Sequence, residues 1–272
     1  MNKTRLDKML LELGLVESRE KARGLILAGE VVVNDNRCDK PGTYVSTQDE
    51  IRIKARSPFV SRGAHKLESV ANCFGFPIQG LTFLDAGAST GGFTDYLLQK
   101  GASKVLAVDV GTAQLHQKLR SDERVFSLEK THILRLDPEQ LPCKVDGVVA
   151  DLSFISMHKV LPRFSLYSKS GHFLVVLLKP QFEVGKDRVG KGGVVKDRDL
   201  IAQTLESRIR QCRELGYLVH GVEASKVIGP KGNREFFLFA SKNMSWEERD
   251  QVSGSEIELQ EYLKNQVETA FL

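Results

Sequence analysis

Strands and helices alternate along most of this 272-residue chain, and this alternation restricts its fold more than any other feature. The candidate strands are short and mainly apolar, and they cover residues 82–85, 104–109, 125–128, 146–151, 172–179, 217–223 and 236–240. Several are apolar almost throughout, as expected of strands that are covered on both faces. Helical stretches lie between them, the clearest at residues 200–215. The pattern predicts an α/β fold built on a doubly wound, mostly parallel sheet.

The last two candidate strands are expected to pair as an antiparallel hairpin. They flank a segment rich in turn-forming residues, Gly229-Pro230-Lys231-Gly232-Asn233. The sheet would then be mostly parallel with one antiparallel strand. Residues 255–269 predict a final acidic helix that docks through one apolar face, formed by Ile257, Leu259, Leu263 and Val267.

Residues 1–56 are expected to form a separate, small α+β module. Its first helix would bury an apolar stripe at helical spacing, with a capping box at its start: Leu6, Met9, Leu10 and Leu13, capped by Thr4 and Asp7. A second helix would begin after Ser18 and end at Gly29. Apolar segments at residues 31–33 and 51–54 predict a small sheet.

The formal net charge of +4 combines two unlike parts of the chain. Residues 243–272 carry two basic and seven acidic side chains, which leaves +9 on residues 1–242. A basic body is compatible with a polyanionic partner such as nucleic acid. The small module itself carries only +2, so any RNA binding there would depend on where its charges lie.

The cysteine pattern and the hydropathy exclude several classes of protein. The four cysteines, at positions 38, 73, 143 and 212, lack the spacing of a zinc site or of a disulfide framework. The longest strongly apolar run, Phe173–Leu178, is far shorter than the roughly 20 residues that span a membrane. The N-terminus also lacks the apolar segment of a signal peptide. We therefore expect a cytoplasmic protein with free thiols, no metal site and no membrane partner.

A glycine-rich loop follows the first strand of the larger region and opens a helix. Residues 85–93 read Asp-Ala-Gly-Ala-Ser-Thr-Gly-Gly-Phe, which is neither a P-loop nor the dinucleotide G-x-G-x-x-G. The alternative is that the glycines only allow a tight turn from the strand to the helix and bind no ligand. Asp109 ends the next strand, however, where an acidic side chain can bind ribose hydroxyls. Together they predict a site for a nucleoside cofactor without a pyrophosphate.

Four charged residues are expected to meet at the same edge of the sheet. Asp151 and Lys179 each end a strand, and Glu235 precedes the last, antiparallel strand. The fourth, Lys66, lies on a predicted helix. The apolar face of this helix comprises Leu67, Val70, Ala71 and Phe74, and Lys66 lies at the margin of that face. Two structural ion pairs would explain this pattern without any chemistry, since strand ends often carry them.

The same four residues suit methyl transfer to a ribose 2′-hydroxyl. That hydroxyl must lose its proton as its oxygen attacks the methyl group. A lysine can act as the base only when its amino group is neutral, which desolvation and a nearby second lysine favour. The two carboxylates would orient the lysines, and orientation by itself contributes much of the acceleration in reactions of this kind.

The small module resembles the RNA-binding domain named after the fourth small-subunit ribosomal protein. The likeness rests on Arg5-Leu6-Asp7, Ser18-Arg19, Ala22 and Gly29 to Asn34. In that family two helices present a basic face to structured RNA. The resemblance implies that Arg5, Arg19, Lys21 and Arg23 contact phosphates, which set affinity and register rather than sequence.

The larger region resembles FtsJ-type 2′-O-ribose RNA methyltransferases, whose K-D-K-E tetrad matches Lys66, Asp151, Lys179 and Glu235 in order. Over residues 3–242 the chain is similar to the TlyA family, which joins both domain types. Six ordered motifs carry this likeness: Ser61–Leu67, Asp85–Thr94, Asp109–Gly111, Asp151–Ser156, Lys179–Glu183 and Val189–Val195.

The resemblance implies a class I, Rossmann-like methyltransferase that uses S-adenosylmethionine to methylate cytidine 2′-hydroxyls in ribosomal RNA or ribosomal subunits, with Lys179 as the general base. The implied cofactor-binding residues are Asp85, Gly87, Ser89, Thr90, Gly91, Gly92, Phe93, Asp109, Val110 and Thr131. Arg62 and Lys191 are further implied RNA contacts, and the basic loop at residues 185–193 would either gate the site or simply connect two elements. The implied division is a small RNA-binding domain at 1–56, a linker at 57–62, a methyltransferase domain at 63–244 and an acidic tail or helix at 245–272.

Three other functions stay open at this point. The chain could be a catalytically silent RNA-binding or ribosome-assembly factor that keeps the fold. The hemolysin name often given to this family is opposed by the lack of a long apolar segment. A nicotinamide dehydrogenase is opposed by the missing dinucleotide motif.

Overall fold

The computed structural model describes residues 3–53, 57–243 and 256–272. The chain divides into two compact units, Met1–Pro58 and Phe59–Leu272. Residues 54–56, the end of the predicted small domain, lie outside the described residues, as do residue 244 and the first part of the predicted tail, residues 245–255.

The smaller unit is an α+β fold with a core between two helices and short strands. Strands β2 and β3 and strands β2 and β5 pair antiparallel, as do β1 and β4. The elements are β1 (Thr4–Arg5), α1 (Leu6–Glu12), α2 (Arg19–Leu27), β2 (Val31–Val33), β3 (Asn36–Cys38), β4 (Tyr44–Val45) and β5 (Ile51–Ile53). The Ser18 hydroxyl accepts the backbone N–H of Lys21 at 3.1 Å, which confirms the predicted start of the second helix.

Two expectations for the first helix are wrong. Thr4 lies in β1, paired with Val45, and the N-cap position is taken by Arg5, whose side chain makes no capping hydrogen bond. The predicted capping box is therefore absent. Leu13 is 51% exposed because α1 ends at Glu12, so the buried stripe stops at Leu10.

The larger unit is a seven-stranded sheet with helices on both faces. The strands are β6 (Thr82–Ala86), β7 (Lys104–Val108), β8 (Val125–Leu128), β9 (Val145–Ala150), β10 (Ser168–Leu178), β11 (Leu218–Ala224) and β12 (Phe236–Lys242). The helices are α3 (Gly63–Phe74), α4 (Gly92–Gln99), α5 (Gln117–Arg120), α6 (Met157–Tyr167), α7 (Pro180–Glu183), α8 (Arg198–Glu214) and α9 (Glu256–Ala270), with single 3₁₀ turns at Ile133–Arg135, Pro138–Gln140, Lys186–Arg188 and Pro230–Gly232.

The strand order is β11-β12-β10-β9-β6-β7-β8. Strand β12 runs antiparallel to both β10 and β11, while β10, β9, β6, β7 and β8 pair parallel. The structure thus confirms a mostly parallel sheet with one antiparallel strand, and it confirms the predicted hairpin. The register aligns Ala86 with Ala150, Ala150 with Val176 and Leu178 with Phe236, so the residues next to these positions come to one edge.

Two apolar layers fix the sheet between its helices. One face packs against α3 and α4, through residues such as Leu67, Val70 and Leu97. The other packs against α6, α8 and α9, through residues such as Phe164 and Leu205. Helices on both faces explain why the strands are apolar almost throughout.

Helix α9 covers the edge strand β11. Its buried face comprises Leu259, Leu263, Val267 and Ala270, whereas Ile257 is 77% exposed, so the predicted place of Ile257 on that face is wrong. The Tyr262 hydroxyl accepts the N–H of Val222 at 3.0 Å and donates to the carbonyl of Val222 at 2.8 Å. Burial raises the pKa of Tyr262 to about 12. This contact satisfies two backbone groups of an edge strand that would otherwise be open to pairing.

No helix in the described part of the chain is long and apolar enough to cross a membrane.

The Tyr262→Phe substitution should lower the free energy of unfolding by about 1–3 kcal/mol, because it leaves both Val222 backbone groups without their partner. Urea denaturation followed by circular dichroism measures the change. The exposed Ile257→Ala substitution on the same helix is the control and should stay within about 0.5 kcal/mol of the wild type. Equal losses in both variants would contradict the assigned role of the hydroxyl.

Candidate active site

Four charged side chains from distant parts of the sequence meet at the carboxyl edge of the parallel strands. Lys66, on α3, places its Nζ 3.3 Å from Asp151 Oδ2 and 2.8 Å from Glu235 Oε2. Lys179, directly after β10, places its Nζ 2.5 Å from Asp151 Oδ1. Asp151 thus binds both lysines, each through a different carboxylate oxygen. The predicted convergence is confirmed, and so is the burial of the α3 face beside Lys66.

The register of the sheet produces this arrangement. Asp151 follows Ala150 at the end of β9, and Lys179 follows Leu178 at the end of β10. Glu235 precedes Phe236, which pairs with Leu178, so an antiparallel strand begins where its neighbour ends. Parallel α/β sheets bind their ligands at this edge.

The tetrad is largely withdrawn from solvent. The side chains of Lys66, Lys179 and Glu235 are 12%, 8% and 0% exposed. Burial lowers the pKa of Lys66, but Asp151 and Glu235 outweigh that effect and hold the pKa above its usual value. Lys66 is therefore the constant cation of the group. Its charge compensates a carboxylate that would be costly to bury alone.

The tetrad opens into a cavity of about 330 Å³ that it shares with the glycine-rich loop. The lining residues are Ser61, Arg62, Gly63, Lys66, Asp85, Gly87, Ala88, Ser89, Thr90, Gly92, Phe93, Asp151, Ser153 and Lys179. Glu235 lies outside this lining and reaches the cavity only through Lys66. Six of the ten predicted cofactor-binding residues and three of the four tetrad residues therefore face one space, whereas Gly91, Asp109, Val110 and Thr131 lie outside its lining.

Two glycines of the loop are required by close approach of other backbone segments. Gly87 has φ +86, and a Cβ there would lie 2.7 Å from the carbonyl oxygen of Asp151. A Cβ on Gly92 would lie 2.7 Å from the backbone nitrogen of Ala64. The loop thus rests directly on the segment that carries Asp151 and on the helix that carries Lys66. Any side chain larger than hydrogen would separate them.

Asp85 is fully enclosed at the start of this loop. Its Oδ2 accepts hydrogen bonds from the backbone N–H and the hydroxyl of Thr94, at 3.0 and 2.6 Å. Its Oδ1 is buried and has no hydrogen-bond partner within the described chain. Burial raises the pKa of this carboxyl group to about 7, against the hydrogen bonds from Thr94. An acceptor left open beside a cavity is suited to a donor on a ligand.

Asp109 stands at the end of β7, on the other side of the loop. Its two carboxylate oxygens accept the N–H groups of Ser89 and Gly111, at 2.8 and 2.7 Å. A second, much smaller cavity includes Ser89 and Asp109. Val110 is 65% exposed, and the backbone of Thr131 donates to the carbonyl of Asp109. Gly91, with φ +93, is the N-cap of α4 and packs against Leu119.

Sequence reasoning missed several residues around the tetrad. Ser153 accepts a hydrogen bond from Lys179 Nζ at 3.0 Å. Phe154 is 92% exposed with φ +64, and its ring lies 5.1 Å from that of Phe182. Glu183 binds the Ser156 hydroxyl and the Met157 N–H, each at 2.6 Å. A serine or phenylalanine in a polar motif gives no local signal of such contacts, because each depends on a second segment.

The predicted phosphate-binding arginines of the smaller unit are partly engaged within it. Arg5 and Arg19 each bind the buried carboxylate of Asp7 at 3.1 Å. The hydrogen bond from Arg5 contributes most to holding the pKa of Asp7 below its usual value. Lys21 pairs with Glu17, whereas Arg23 is exposed and has no ion pair among the described residues.

The basic loop after Lys179 is fastened at its far end. Asn233, which is buried, donates to the carbonyl of Gly193 at 2.9 Å and accepts the N–H of Val195 at 3.2 Å. Lys191 is exposed just before this fastened end. The gating role of the loop stays a prediction.

Comparisons with known proteins agree with this geometry. Residues 59–242 match the FtsJ-like methyltransferase family, and residues 4–51 match the S4 domain. The chain is 46% identical over 239 residues to the 16S/23S rRNA (cytidine-2'-O)-methyltransferase TlyA of Mycobacterium tuberculosis, covering 87% of this chain and 89% of that one. It is 39% identical to Hemolysin A of Brachyspira hyodysenteriae, covering 85% and 97%. The solved structure of a provisionally named hemolysin from Streptococcus thermophilus matches with a TM-score of 0.72 at 35% identity, covering 100% of this chain and 98% of that one.

The protonation of Asp85 should make the free energy of unfolding depend on pH. Because its folded-state pKa of about 7 exceeds the ordinary 3.8, the folded protein binds the extra proton, and its stability falls as pH rises from about 4 to about 7. Relative to Asp85→Asn, the wild type should lose up to about 4 kcal/mol across that window. Urea denaturation of both proteins at several pH values measures this difference. A difference that stays flat between pH 4 and 7 would show that Asp85 is not protonated in the folded state.

Proposed function

The chain belongs to the TlyA family of FtsJ-like methyltransferases, and we propose that it transfers a methyl group from S-adenosylmethionine to the ribose 2′-hydroxyl of a cytidine in ribosomal RNA. The observation that carries this proposal is the lysine–carboxylate tetrad, with Asp151 between Lys66 and Lys179, beside the glycine-rich loop. The cytidine and the ribosomal RNA come from the name of the M. tuberculosis relative, and the ribose hydroxyl is also the group that the chemistry of the site suits.

The residues present fit the proposed cofactor. The open Oδ1 of Asp85 is a buried acceptor beside the cavity, which suits an ammonium group, and Gly87 and Gly92 let the loop that lines the cavity lie close against Asp151 and Ala64. Asp109, held by Ser89 and Gly111, would take ribose hydroxyls. The remaining predicted contacts are Thr90, Gly91, Phe93, Val110 and Thr131. S-adenosylmethionine, when bound, supplies an electrophilic methyl group on a sulfonium.

The residues of the chain have separate tasks in the proposed reaction. Lys179, which faces the cavity, removes the proton of the ribose hydroxyl as general base. Lys66 stays protonated between Asp151 and Glu235 and offsets their charge. Asp151 fixes both amino groups relative to the cavity. Positioning of the hydroxyl near the methyl group then contributes much of the rate.

The RNA would meet a basic and partly aromatic surface. Arg62 lines the cavity itself, and Lys191 lies in the loop after Lys179. The exposed Phe154, close to Phe182, offers a ring on which a base can stack. The S4 domain would add phosphate contacts through Arg5, Arg19, Lys21 and Arg23. Ribosomal RNA as substrate implies action in the cytoplasm.

The central experiment compares wild-type protein with Lys179→Ala on isolated ribosomal subunits, with labelled S-adenosylmethionine. We expect labelled 2′-O-methylcytidine with the wild type and a roughly 100- to 10,000-fold slower transfer with the variant, because a general base is lost. Mass spectrometry of digested ribosomal RNA identifies the product.

The matched control is Lys144→Ala, an exposed lysine that precedes β9 and therefore lies at the opposite edge of the sheet. It should transfer the methyl group like the wild type. Absence of transfer by the wild type to either subunit would refute the proposed function and favour a silent RNA-binding factor. Full transfer by Lys179→Ala would refute only the assignment of the base.

Substitutions of Arg19 and Arg23 should distinguish a loss of stability from a loss of RNA binding in the S4 domain. Arg23→Ala should weaken binding to ribosomal RNA and reduce its salt dependence by about one unit of slope, with unchanged stability. Arg19→Ala should also lower the free energy of unfolding by about 1–3 kcal/mol, because the buried Asp7 loses a partner. Filter binding at several salt concentrations and urea denaturation measure the two effects. Salt-independent binding by the wild type would contradict the phosphate contacts.

A further inference from the structure

Lys179 forms an ion pair within the tetrad and a hydrogen bond to a residue outside it. Its Nζ lies 2.5 Å from Asp151 Oδ1 and donates to the Ser153 hydroxyl oxygen at 3.0 Å. Ser153 lines the same cavity and is exposed, whereas Lys179 is buried. An ion pair to Asp151 and a hydrogen bond to Ser153, both from the segment after β9, therefore hold the amino group of a residue that follows β10.

The number of these acceptors matches the number of N–H bonds in a neutral amine. A neutral lysine amino group has two N–H bonds and one lone pair, and the ammonium form has three N–H bonds and no lone pair. When Asp151 and Ser153 accept both N–H bonds, rotation about the terminal carbon–nitrogen bond is blocked. The lone pair then has one remaining direction, away from both acceptors.

Building on the proposed function, we propose that Ser153 is a positioning residue for methyl transfer, which fixes the lone pair of Lys179 toward the ribose hydroxyl. The ion pair to Asp151 alone would leave the amino group free to rotate about its carbon–nitrogen bond. The loss of Ser153 would then reduce the share of time in which the lone pair meets the hydroxyl. Misorientation of this kind slows a reaction without weakening substrate binding.

The protein holds Ser153 in place through a second set of contacts. Ser156, three residues further on, caps α6 and donates to Glu183 Oε2 at 2.6 Å, and the Met157 N–H donates to Glu183 Oε1 at 2.6 Å. Glu183 ends α7, the short helix that begins directly after Lys179. The segment with Ser153 and the segment with Lys179 are thus tied together beside the hydrogen bond that joins them.

The proposed step is balanced in atoms and charge. The hydroxyl proton moves to the lone pair of Lys179, the ribose oxygen forms a bond to the methyl carbon, and the carbon–sulfur bond breaks with its electron pair going to sulfur. The resulting ammonium group directs one N–H to Asp151, one to Ser153 and one to the new ether oxygen. Its extra proton returns to water after the product leaves.

The test compares Ser153→Ala and Ser153→Thr with the wild type under single-turnover conditions. Ser153→Ala should transfer the methyl group roughly 10- to 100-fold more slowly, with dissociation constants for S-adenosylmethionine and ribosomal RNA within about twofold of the wild type. Ser153→Thr keeps the hydroxyl and should recover most of the rate. In ¹H–¹⁵N spectra of lysine amino groups, the Lys179 signal should be broadened by exchange in Ser153→Ala and retained in Ser153→Thr.

Ser103→Ala is the matched control, because it removes an exposed, hydrogen-bonded serine hydroxyl just before β7, at the opposite edge of the sheet. It should keep the transfer rate within about threefold of the wild type. A Ser153→Ala rate equal to that of the wild type, a failure of Ser153→Thr to recover the rate, or an equal loss in Ser103→Ala would overturn the inference. Absence of transfer by the wild type would instead refute the proposed function.

Discussion

Asp151 binds two lysines at once, and the rest of the larger unit keeps this shared carboxylate in register with its partners. Each oxygen of Asp151 pairs with one lysine, so this carboxylate fixes the positions of both amino groups. Charges withdrawn from water cost several kcal/mol each unless they are paired, and here every charge of the tetrad has a partner. The arrangement therefore requires four separate chain segments to come within a few ångströms of one another.

The sheet satisfies this requirement through two features of its topology. Parallel neighbours bring Asp151 and Lys179 to one edge, and the antiparallel β12 begins at that edge and adds Glu235. Helix α3 carries Lys66. The close contact between Gly92 and Ala64 sets the distance between this helix and the glycine-rich loop. The same loop touches Asp151 through Gly87. The proposed cofactor site and the proposed catalytic site are thus parts of one rigid contact, in which a displacement of the loop would also move the tetrad.

The smaller unit solves a different problem with similar residues. Arg5 and Arg19 neutralise the buried Asp7, and under the proposed function they would also contact RNA. An arginine can serve both tasks because its guanidinium has five N–H donors in a fixed fork. Such double use would let a module with little net charge present a basic face.

The alternation of apolar strands and helices was sufficient to predict the α/β sheet, its antiparallel hairpin and the three charged residues at strand ends, because these signals are local and periodic. The glycine-rich loop could also be predicted to bind a nucleoside without a pyrophosphate, because the spacing of its glycines differs from that of the phosphate-binding motifs. Local patterns failed where a helix ends earlier than its apolar spacing suggests, as at Leu13, and where a helix turns a residue to solvent, as at Ile257.

Only the tertiary structure determines which charged and polar groups contact each other. Both lysines form ion pairs with Asp151, and Glu235 forms an ion pair with Lys66. Ser153 is hydrogen-bonded to Lys179, and Asn233 to Gly193. Each of these contacts links segments that the sequence separates by tens of residues. Sequence periodicity determines which face of an element is buried, whereas the distance between two such segments is set by strand register and helix packing, which no local pattern encodes.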